Sequence, residues 1–507
     1  MDVFAAIVVQ FRKTICNFAR ALLNKMKTVP MMILLTVLFY FAVLFAISRL
    51  TSRRATNDTF FRANRRAPWP MVAFGMVGAS ISGVTFVSVP GMVLTSNMSY
   101  VQVCLGFILG YLMVAFVLLP VYYRLNLTTI YSYLGQRLGS RSYTTGAAFF
   151  LLSKLVGSAV KFYVVCIILQ QFVMSALGVP FVATVLGLVL LIWLYTRRGG
   201  IGTLVFTDTF QTLCLFTALL LIIYKVMETM GLSAGEVVAR IAADDRSRMF
   251  VWSDWMSPHN FWKQLLSGAF IVVVMTGLDQ DMMQKNLTCR TLREAQKNMC
   301  TYGVAFLPAN VLFLSLGVLL AQLAEGAGAT IGKGDELLPA FVAGQGGAVA
   351  VLFAIGIVAA SFSSADSALT SLTTSFCIDI CHRPADERLR KHVHAGMCVL
   401  FAVFILFVYA VNSSSLIDTI YTIVSYTYGP LLGLFAFGLF TRRGVNDRRV
   451  PLVCVASPLV CFAADSACRW LWDYRFGYEL LMLNGLLTFL GLWLFSAKAS
   501  ARAGQPL

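Results

Sequence analysis

The sequence predicts an all-α polytopic membrane protein with about thirteen transmembrane helices. Of its 507 residues, 58% are hydrophobic and only 12% are charged, and the mean hydropathy is +0.77. Apolar runs of about 17 to 25 residues, the length of a spanning helix, recur along the chain. Basic residues fall in alternate loops, a pattern that is typical of a chain with a fixed orientation in the membrane.

The predicted spans follow one another with loops between them. Their approximate bounds are 31–50, 70–95, 100–123, 143–175, 181–197, 203–227, 259–281, 301–323, 346–372, 395–411, 416–440, 450–468 and 479–497. Each run is expected to be helical, because backbone groups in hydrocarbon must find partners within their own segment. We therefore expect a chain embedded in the lipid bilayer without a soluble domain.

The net charge of +17 comes from basic loops and not from one continuous basic surface, so nucleic acid is excluded as a partner. Cytoplasmic loops carry an excess of Lys and Arg, and we therefore place these loops and the C-terminus in the cytoplasm of a bacterial cell, with the chain in the inner membrane. No motif identifies a protein partner. Residues that mark the basic loops include Arg62, Arg124, Arg197, Lys285, Arg383 and Arg442.

Residues 1–30 do not fit this orientation, because they are basic and thirteen spans would place them outside. They form either an amphipathic surface helix or a segment upstream of a later start at Met26 or Met31, which we favour. A cleaved signal peptide is a third interpretation, but the run at 31–50 is long enough to span and no small-residue cleavage site follows it.

Polar groups interrupt one of the later spans. The stretch 360–372 contains several hydroxyls and one carboxylate, that of Asp366. Such groups are costly in hydrocarbon and by default face the interior of a helix bundle. Hard oxygen ligands without Cys or His indicate a hard cation such as sodium.

The second span is interrupted at 78–83, where Gly and Ser replace large apolar residues. These residues weaken a helix, and carbonyls freed at a break can coordinate an ion if they line a cavity. The alternative is a small-residue face for close helix packing. The residues alone leave both interpretations open.

With five further motifs, these two segments resemble the sodium:solute symporter family, and the resemblance covers about residues 58 to 440. The further motifs are DTFFRANRR at 58–66, YSYLGQRLG at 131–139, GGIGTLVFTDTFQ at 199–211, GLDQDMMQ at 277–284 and GPLLGLF at 429–435. Each motif is modest alone, but their number and order make the resemblance strong.

The resemblance implies the LeuT-like fold, in which two inverted repeats of five helices form the core. One extra helix precedes this core and two follow it, which agrees with thirteen spans. The implied segments are an N-terminal extension at 1–30, an extra helix at 31–50, repeats at 70–227 and 259–440, and C-terminal helices at 450–497.

The resemblance also implies sodium-coupled symport of a small polar organic solute by alternating access, with Na⁺ as the coupling ion and no organic cofactor. The implied first sodium site takes backbone carbonyls of the broken helix and ligands from the polar span. Its residues here are Gly78, Ile81, Ala360, Ser363 and Ser364.

Some family members bind a second sodium ion beside an Asp of the fifth core helix. That residue is Asp208 here, with Ser364, Asp366 and Ser367 as candidate partners. Asp366 departs from the pattern, since a charged group stands where neutral ones suffice. Asp366 either ligates the ion, hydrogen-bonds within its helix or exchanges protons. The alternative to a second sodium site is a purely structural role for Asp208.

In members that carry sialic acids, first-helix hydroxyls, a second-helix Gln and a third-helix Arg hold the ligand. Two deep cations predict an anionic group such as a carboxylate, although Lys lacks the bidentate fork of Arg. The alternative for both lysines is a salt bridge or a side chain that reaches the cytoplasmic interface. The candidate substrate residues here are Ser80, Ser82, Thr85, Gln102, Lys154 and Lys161.

Three tyrosines near the end of the core, Tyr421, Tyr426 and Tyr428, either shape a gate or pack against neighbouring helices. A proton-coupled or uncoupled carrier of a sugar or amino acid is the main alternative to a sodium symporter. A transporter-like sensor is less favoured because it needs an output domain. An enzyme needs a nucleophile with a base or a metal cluster, so we expect a transporter and not an enzyme.

Overall fold

The computed structural model describes residues 29–253, 255, 257–328, 332–345, 347–411, 416–472, 474, 476 and 479–497, with only the backbone described at 29, 411, 416–425 and 497. The basic segment 1–28, on which the interpretations of the N-terminus depend, lies outside the described residues, and so does the tail after residue 497.

Most of the described chain is α-helical, as predicted. The α-helices are α1 Val29–Thr51, α2 Asn57–Arg62, α3 Trp69–Ser80, α4 Gly83–Gly91, α5 Val93–Ser96, α6 Tyr100–Met113, α7 Leu119–Arg124, α8 Ser132–Arg137, α9 Ser140–Leu169, α10 Phe181–Thr196, α11 Ile201–Met230, α12 Ala234–Ala242, α13 Phe261–Val272, α14 Gln280–Asn286, α15 Leu292–Gly326, α16 Leu337–Gly344, α17 Gly347–Ser375, α18 Glu387–Val411, α19 Leu416–Phe440, α20 Val450–Trp472 and α21 Leu480–Leu494.

Other backbone structures are short. A two-residue antiparallel pair joins β1, Gly444–Val445, to β2, Ser496–Ala497. The π-helical turns are Val114–Leu118, Gln170–Met174, Val273–Gly277 and Phe376–Ile380. The 3₁₀ turns are Ala63–Arg65, Asn97–Ser99, Ser175–Leu177, Asp245–Ser247 and Gly334–Glu336.

Within the part of the chain that the structure describes, eight helical stretches are long and apolar enough to cross a bilayer. A ninth is added if the bent pair Phe261–Gly277 and Gln280–Asn286 counts as one span. Shorter apolar helices lie at Trp69–Ser80, Phe181–Thr196, Tyr426–Phe440 and Leu480–Leu494. The polytopic all-α class is therefore confirmed, while the number thirteen stays a prediction.

Packing brings distant segments together around the middle of the bundle. Helix α11 packs against α3 and α17, and α9 packs against α17 and α19. The approach of α3 to α11 requires a glycine, since a Cβ on Gly78 would lie 1.9 Å from Thr212 Oγ1. The small residues at 78–83 thus serve close packing, and the same stretch also contains a helix break.

Candidate functional site

The first element of the site is the break between α3 and α4. Helix α3 ends at Ser80, and the next two residues, Ile81 and Ser82, both have φ of −84° with extended ψ. Ser82 accepts a hydrogen bond from the Thr85 amide at 3.4 Å, and the two residues form a capping box, which is a local signal for a helix start. The break therefore has a defined position, with backbone groups near Ser80 that lack helical partners.

Ser364 of α17 joins this break. Its hydroxyl donates to the Ala79 carbonyl at 2.8 Å and to the Ala360 carbonyl at 3.2 Å. Two predicted sodium ligands, Ser364 and the Ala360 carbonyl, thus lie at the break. The carbonyl that faces Ser364 belongs to Ala79, whereas the predicted Gly78 carbonyl accepts a hydrogen bond from the Ile81 amide at 3.1 Å.

Ser363 points toward α11. Its hydroxyl donates to Asp208 Oδ1 at 2.7 Å. A hydroxyl oxygen that donates one hydrogen bond still has lone pairs for a cation. The carbonyl and hydroxyl oxygens around the break are neutral hard ligands, which is the chemistry that suits sodium.

Asp208 meets a buried lysine that we predicted in a cytoplasmic loop. Lys285 Nζ lies 2.8 Å from Asp208 Oδ2, and their side chains are 3% and 2% exposed. The loop prediction was wrong because the span bends by 72° and continues as α14, which carries Lys285 into the interior. Its neighbours Gln284 and Asn286 are buried too, and this polar run directly after an apolar span was the missed signal.

The structure does not join Asp366 or Ser367 to Asp208 by a hydrogen bond. Asp366 Oδ2 accepts from the Tyr195 hydroxyl at 2.6 Å. Asp366 Oδ1 and the Ser367 hydroxyl are buried without a hydrogen-bond partner among the described residues. The residues predicted for a second sodium site therefore make separate contacts, and Lys285 was absent from that prediction.

A cavity of about 190 Å³ opens beside the break. Five of the six predicted substrate residues line it, together with Ser364 of the predicted sodium site. Side chains of α6, α13 and α15 close its apolar side. Apart from tyrosines, the polar and charged lining residues are Ser80, Ser82, Thr85, Ser88, Ser153, Lys154, Ser158, Lys161, Thr276, Asp279, Asp281, Ser361 and Ser364.

The two lysines of α9 differ in their partners. Lys154 Nζ lies 3.2 Å from Asp279 Oδ2 and 2.7 Å from Asp281 Oδ2, so its charge is matched within the protein. Lys161 lines the same cavity without a hydrogen bond or ion pair to any described residue. The salt-bridge alternative thus holds for Lys154, and Lys161 is the lysine with an ammonium available to a ligand.

A second helix break supplies the two carboxylates. Helix α13 runs through a π turn to Gly277, and α14 starts at Gln280 after a 72° bend. Asp279 caps α14 by accepting from the Asp281 amide at 2.8 Å. The Tyr428 hydroxyl of α19 also donates to Asp279 at 2.5 Å. This segment is one of the motifs that carry the family resemblance, but the sequence did not predict a role for its two carboxylates.

Gln102 lies outside the cavity lining, contrary to its predicted place in a substrate site. Its side-chain amide donates to the His259 carbonyl at 2.9 Å and to Gln264 at 3.0 Å, and its carbonyl accepts from the Val251 amide at 3.0 Å. Gln102 is held away from the cavity because these partners, which lie before α13 and in its first turn, occupy both its amide nitrogen and its carbonyl oxygen. Gln102 positions that segment.

The three tyrosines that were predicted either to shape a gate or to pack differ in their surroundings. Tyr428 lines the cavity, whereas the ring of Tyr426 packs edge-on against Phe462, and the side chain of Tyr421 is outside the described part. Two tyrosines that sequence reasoning missed, Tyr111 and Tyr302, line the cavity and are hydrogen-bonded to each other at 2.8 Å. Tyr302 is also hydrogen-bonded to Ser80.

Comparison with known proteins decides the family. A model of the sodium:solute symporter family matches residues 60–448, which is more than half of the chain. The chain belongs to this family. The predicted resemblance is therefore confirmed. The protein is a transporter and not an enzyme, and it carries an organic solute by sodium-coupled symport.

Relatives of known function include bacterial transporters of sialic acids. The sodium/sialic acid symporter NanT of Aliivibrio fischeri is 27% identical over 436 residues, which cover 82% of this chain and 84% of NanT. The sodium/sialic acid symporter SiaT of Proteus mirabilis is 24% identical over 425 residues, covering 78% and 81% of the two chains.

The fold is shared with solved transporters. A Na⁺-coupled sialic acid symporter in a substrate-bound outward-open state matches with a TM-score of 0.78 at 21% identity, over 93% of this chain and 100% of that one. The nucleobase-cation-symport-1 transporter Mhp1 in a closed conformation matches with a TM-score of 0.56 at 16% identity, over 86% and 92%. The predicted LeuT-like fold is therefore confirmed.

Proposed function

We propose that this symporter takes up a small organic solute that carries a carboxylate, and that the solute binds in the cavity between α4, α9 and the α13–α14 break. The single observation that carries this proposal is the ammonium of Lys161 in the cavity wall, which has no hydrogen bond or ion pair to the residues that the structure describes. A cation inside a membrane protein is costly unless it meets an opposite charge. Since Asp279 and Asp281 make their ion pairs with Lys154, an anionic ligand would give Lys161 a direct partner.

The remaining lining fits a polyhydroxylated acid. Hydroxyls of Ser80, Ser82 and Thr85 lie along one side of the cavity and supply hydrogen-bond partners for hydroxyl groups of a solute. Apolar side chains such as Phe107 and Phe306 cover the other side. The similarity to NanT and SiaT supports a sialic acid or a related sugar acid as the first candidate.

Sodium is proposed to bind at the α3–α4 break, next to this cavity. Ser364 and the Ala360 carbonyl, which already meet there, would hold it together with carbonyls of Gly78 and Ile81 and the hydroxyl of Ser363. Because Ser364 also lines the cavity, ion and solute would lie side by side, and each would favour binding of the other. We further propose a bacterial inner membrane and a cytoplasmic C-terminus, on the charge pattern of the loops.

The test is thermal unfolding of the purified protein with a panel of sugars, amino acids, nucleosides and carboxylates, including sialic acid, in sodium and in potassium at equal ionic strength. A ligand at about a hundred times its Kd stabilises the folded state by about 2.7 kcal/mol. We expect a carboxylate to raise the melting temperature in sodium but not in potassium.

Two variants make this test specific for the site. Lys161→Gln should lose the shift with carboxylates and retain the shift with sodium alone. Lys225→Gln is the matched control, since Lys225 pairs with Glu228 near the C-terminal end of α11, away from the cavity lining, and it should behave like the wild type. An equal carboxylate shift in Lys161→Gln and wild type would refute the assignment of the substrate site.

A second candidate, a proton-coupled carrier, is favoured by the buried Asp366 oxygen that has no partner among the described residues. A carrier of this kind would show equal ligand shifts in both salts and lose the pH dependence of uptake in Asp366→Asn. The same unfolding experiment therefore separates it from the sodium symporter.

A further inference from the structure

The pair formed by Lys285 and Asp208 lies outside the cavity lining, in the contact between α14 and α11. The two charged atoms are 2.8 Å apart, and both side chains are almost fully buried. The other oxygen of Asp208 accepts the Ser363 hydroxyl at 2.7 Å. Both oxygens of the carboxylate therefore have a partner from another helix.

This place has the ligands of a monovalent cation site. A buried carboxylate and a neighbouring hydroxyl from α17 are hard oxygen ligands. The structure puts a primary ammonium against them, and an ammonium is a compact single positive charge that offers three donors. The sequence pointed to a second sodium ion beside Asp208. The structure instead places there a cation of the chain itself, the Lys285 ammonium.

We propose that the Lys285 ammonium takes the place of a second sodium ion, so that the protein binds one sodium ion, at the α3–α4 break. This inference rests on the sodium symport stated above. A tethered cation balances Asp208 in every state of the protein but cannot leave with the solute. It therefore adds nothing to the driving force that the sodium gradient supplies.

The alternative is an ion pair that only holds the helices together. It would stabilise the contact between α14 and α11 without affecting how many sodium ions bind. The two roles differ when Lys285 is shortened, because an uncompensated buried carboxylate is costly and a free cation that can reach it relieves that cost.

The experiment measures binding of radioactive ²²Na⁺ to the purified protein at saturation, with choline as the balancing cation. We expect one ion per wild-type molecule and two ions per molecule of Lys285→Ala, with the second ion lost again in the Lys285→Ala, Asp208→Asn double variant. Lys225→Ala, which removes a half-exposed lysine that pairs with Glu228, is the control and should bind one ion.

Two bound ions in the wild type would overturn the inference, and so would a folded Lys285→Ala variant that binds one. If Lys285→Ala does not fold, Lys285→Gln, which removes the charge and keeps most of the side chain, takes its place, and a folded Lys285→Gln variant that binds one ion would overturn the inference. A wild type that binds no sodium would instead overturn the sodium symport and this inference with it, so the two failures are distinguishable.

Discussion

Two helix breaks border the same cavity, one between α3 and α4 and the other between α13 and α14. The first presents neutral polar groups and the second presents negatively charged groups. The neutral groups are the Ala79 carbonyl and the hydroxyls of Ser80 and Ser82. The charged groups are two carboxylates, Asp279 and Asp281. A neutral break can take up and release a monovalent cation, whereas a charged break needs a permanent counter-charge.

That counter-charge is Lys154, which contacts both carboxylates. The pairing also connects α9 to the second break. Lys154 lies in the first predicted repeat, whereas Asp279 and Asp281 lie in the second. Under the proposed function, the two breaks would divide the work, the first binding the ion and the second holding α9 beside the solute.

The largest expected effect comes from removing the counter-charge. Lys154→Met leaves two buried carboxylates without their cation, and breaking a buried ion pair in this way costs roughly 3–5 kcal/mol. The melting temperature of the purified variant measures this loss. Asp279→Asn and Asp281→Asn combined with Lys154→Met should recover much of it, because the two carboxylates that Lys154 balanced are then replaced by neutral amides.

Recovery separates an electrostatic role from a packing role. If the triple variant is as unstable as Lys154→Met, the unpaired carboxylates are not the cause of the loss, and the contrast between a neutral and a charged break fails.

An intermediate effect is expected at the neutral break. Ser364→Ala removes a hydroxyl ligand from the proposed sodium site, and we expect sodium affinity to fall by a factor of about 30, which corresponds to about 2 kcal/mol. Sodium titration followed by thermal unfolding measures the change, and sodium-coupled uptake should be lost with it.

Ser371→Ala is the matched control. Ser371 is also buried in α17, but its hydroxyl donates to the Ala368 carbonyl of its own helix at 2.9 Å. Its loss should leave sodium affinity unchanged. Unchanged sodium dependence in Ser364→Ala would remove Ser364 from the ion site.

The smallest effect compares two tyrosines at the charged break. Tyr428→Phe deletes a hydrogen bond of 2.5 Å to the Asp279 carboxylate, which is worth about 1.5 kcal/mol because the acceptor is charged. Tyr122→Phe deletes a hydrogen bond of 2.9 Å to the Gly277 carbonyl, a neutral acceptor worth about 1 kcal/mol.

Melting temperatures of the two variants should therefore fall in that order. A larger loss in Tyr122→Phe would show that the backbone of the bend, and not its carboxylates, sets the stability of this region.

The sequence alone determined the membrane class and the family, and five of its six candidate substrate residues line the cavity. Hydropathy runs, the polar interruption at 360–372 and the Gly and Ser stretch at 78–83 are local features, and local features are visible in one dimension. Ser82 and Thr85 illustrate this point, because a capping box is written in four consecutive residues.

Only the tertiary structure decided which charges meet. Lys285 and Asp208 are far apart in the chain, and a bend of 72° turned a predicted loop lysine into a buried partner. The same holds for Lys154, Lys161 and Gln102, whose chemical types suggested one shared role and whose neighbours gave them three different ones. Which charges pair depends on how the helices pack, and no local pattern in the sequence identifies a partner from a distant segment.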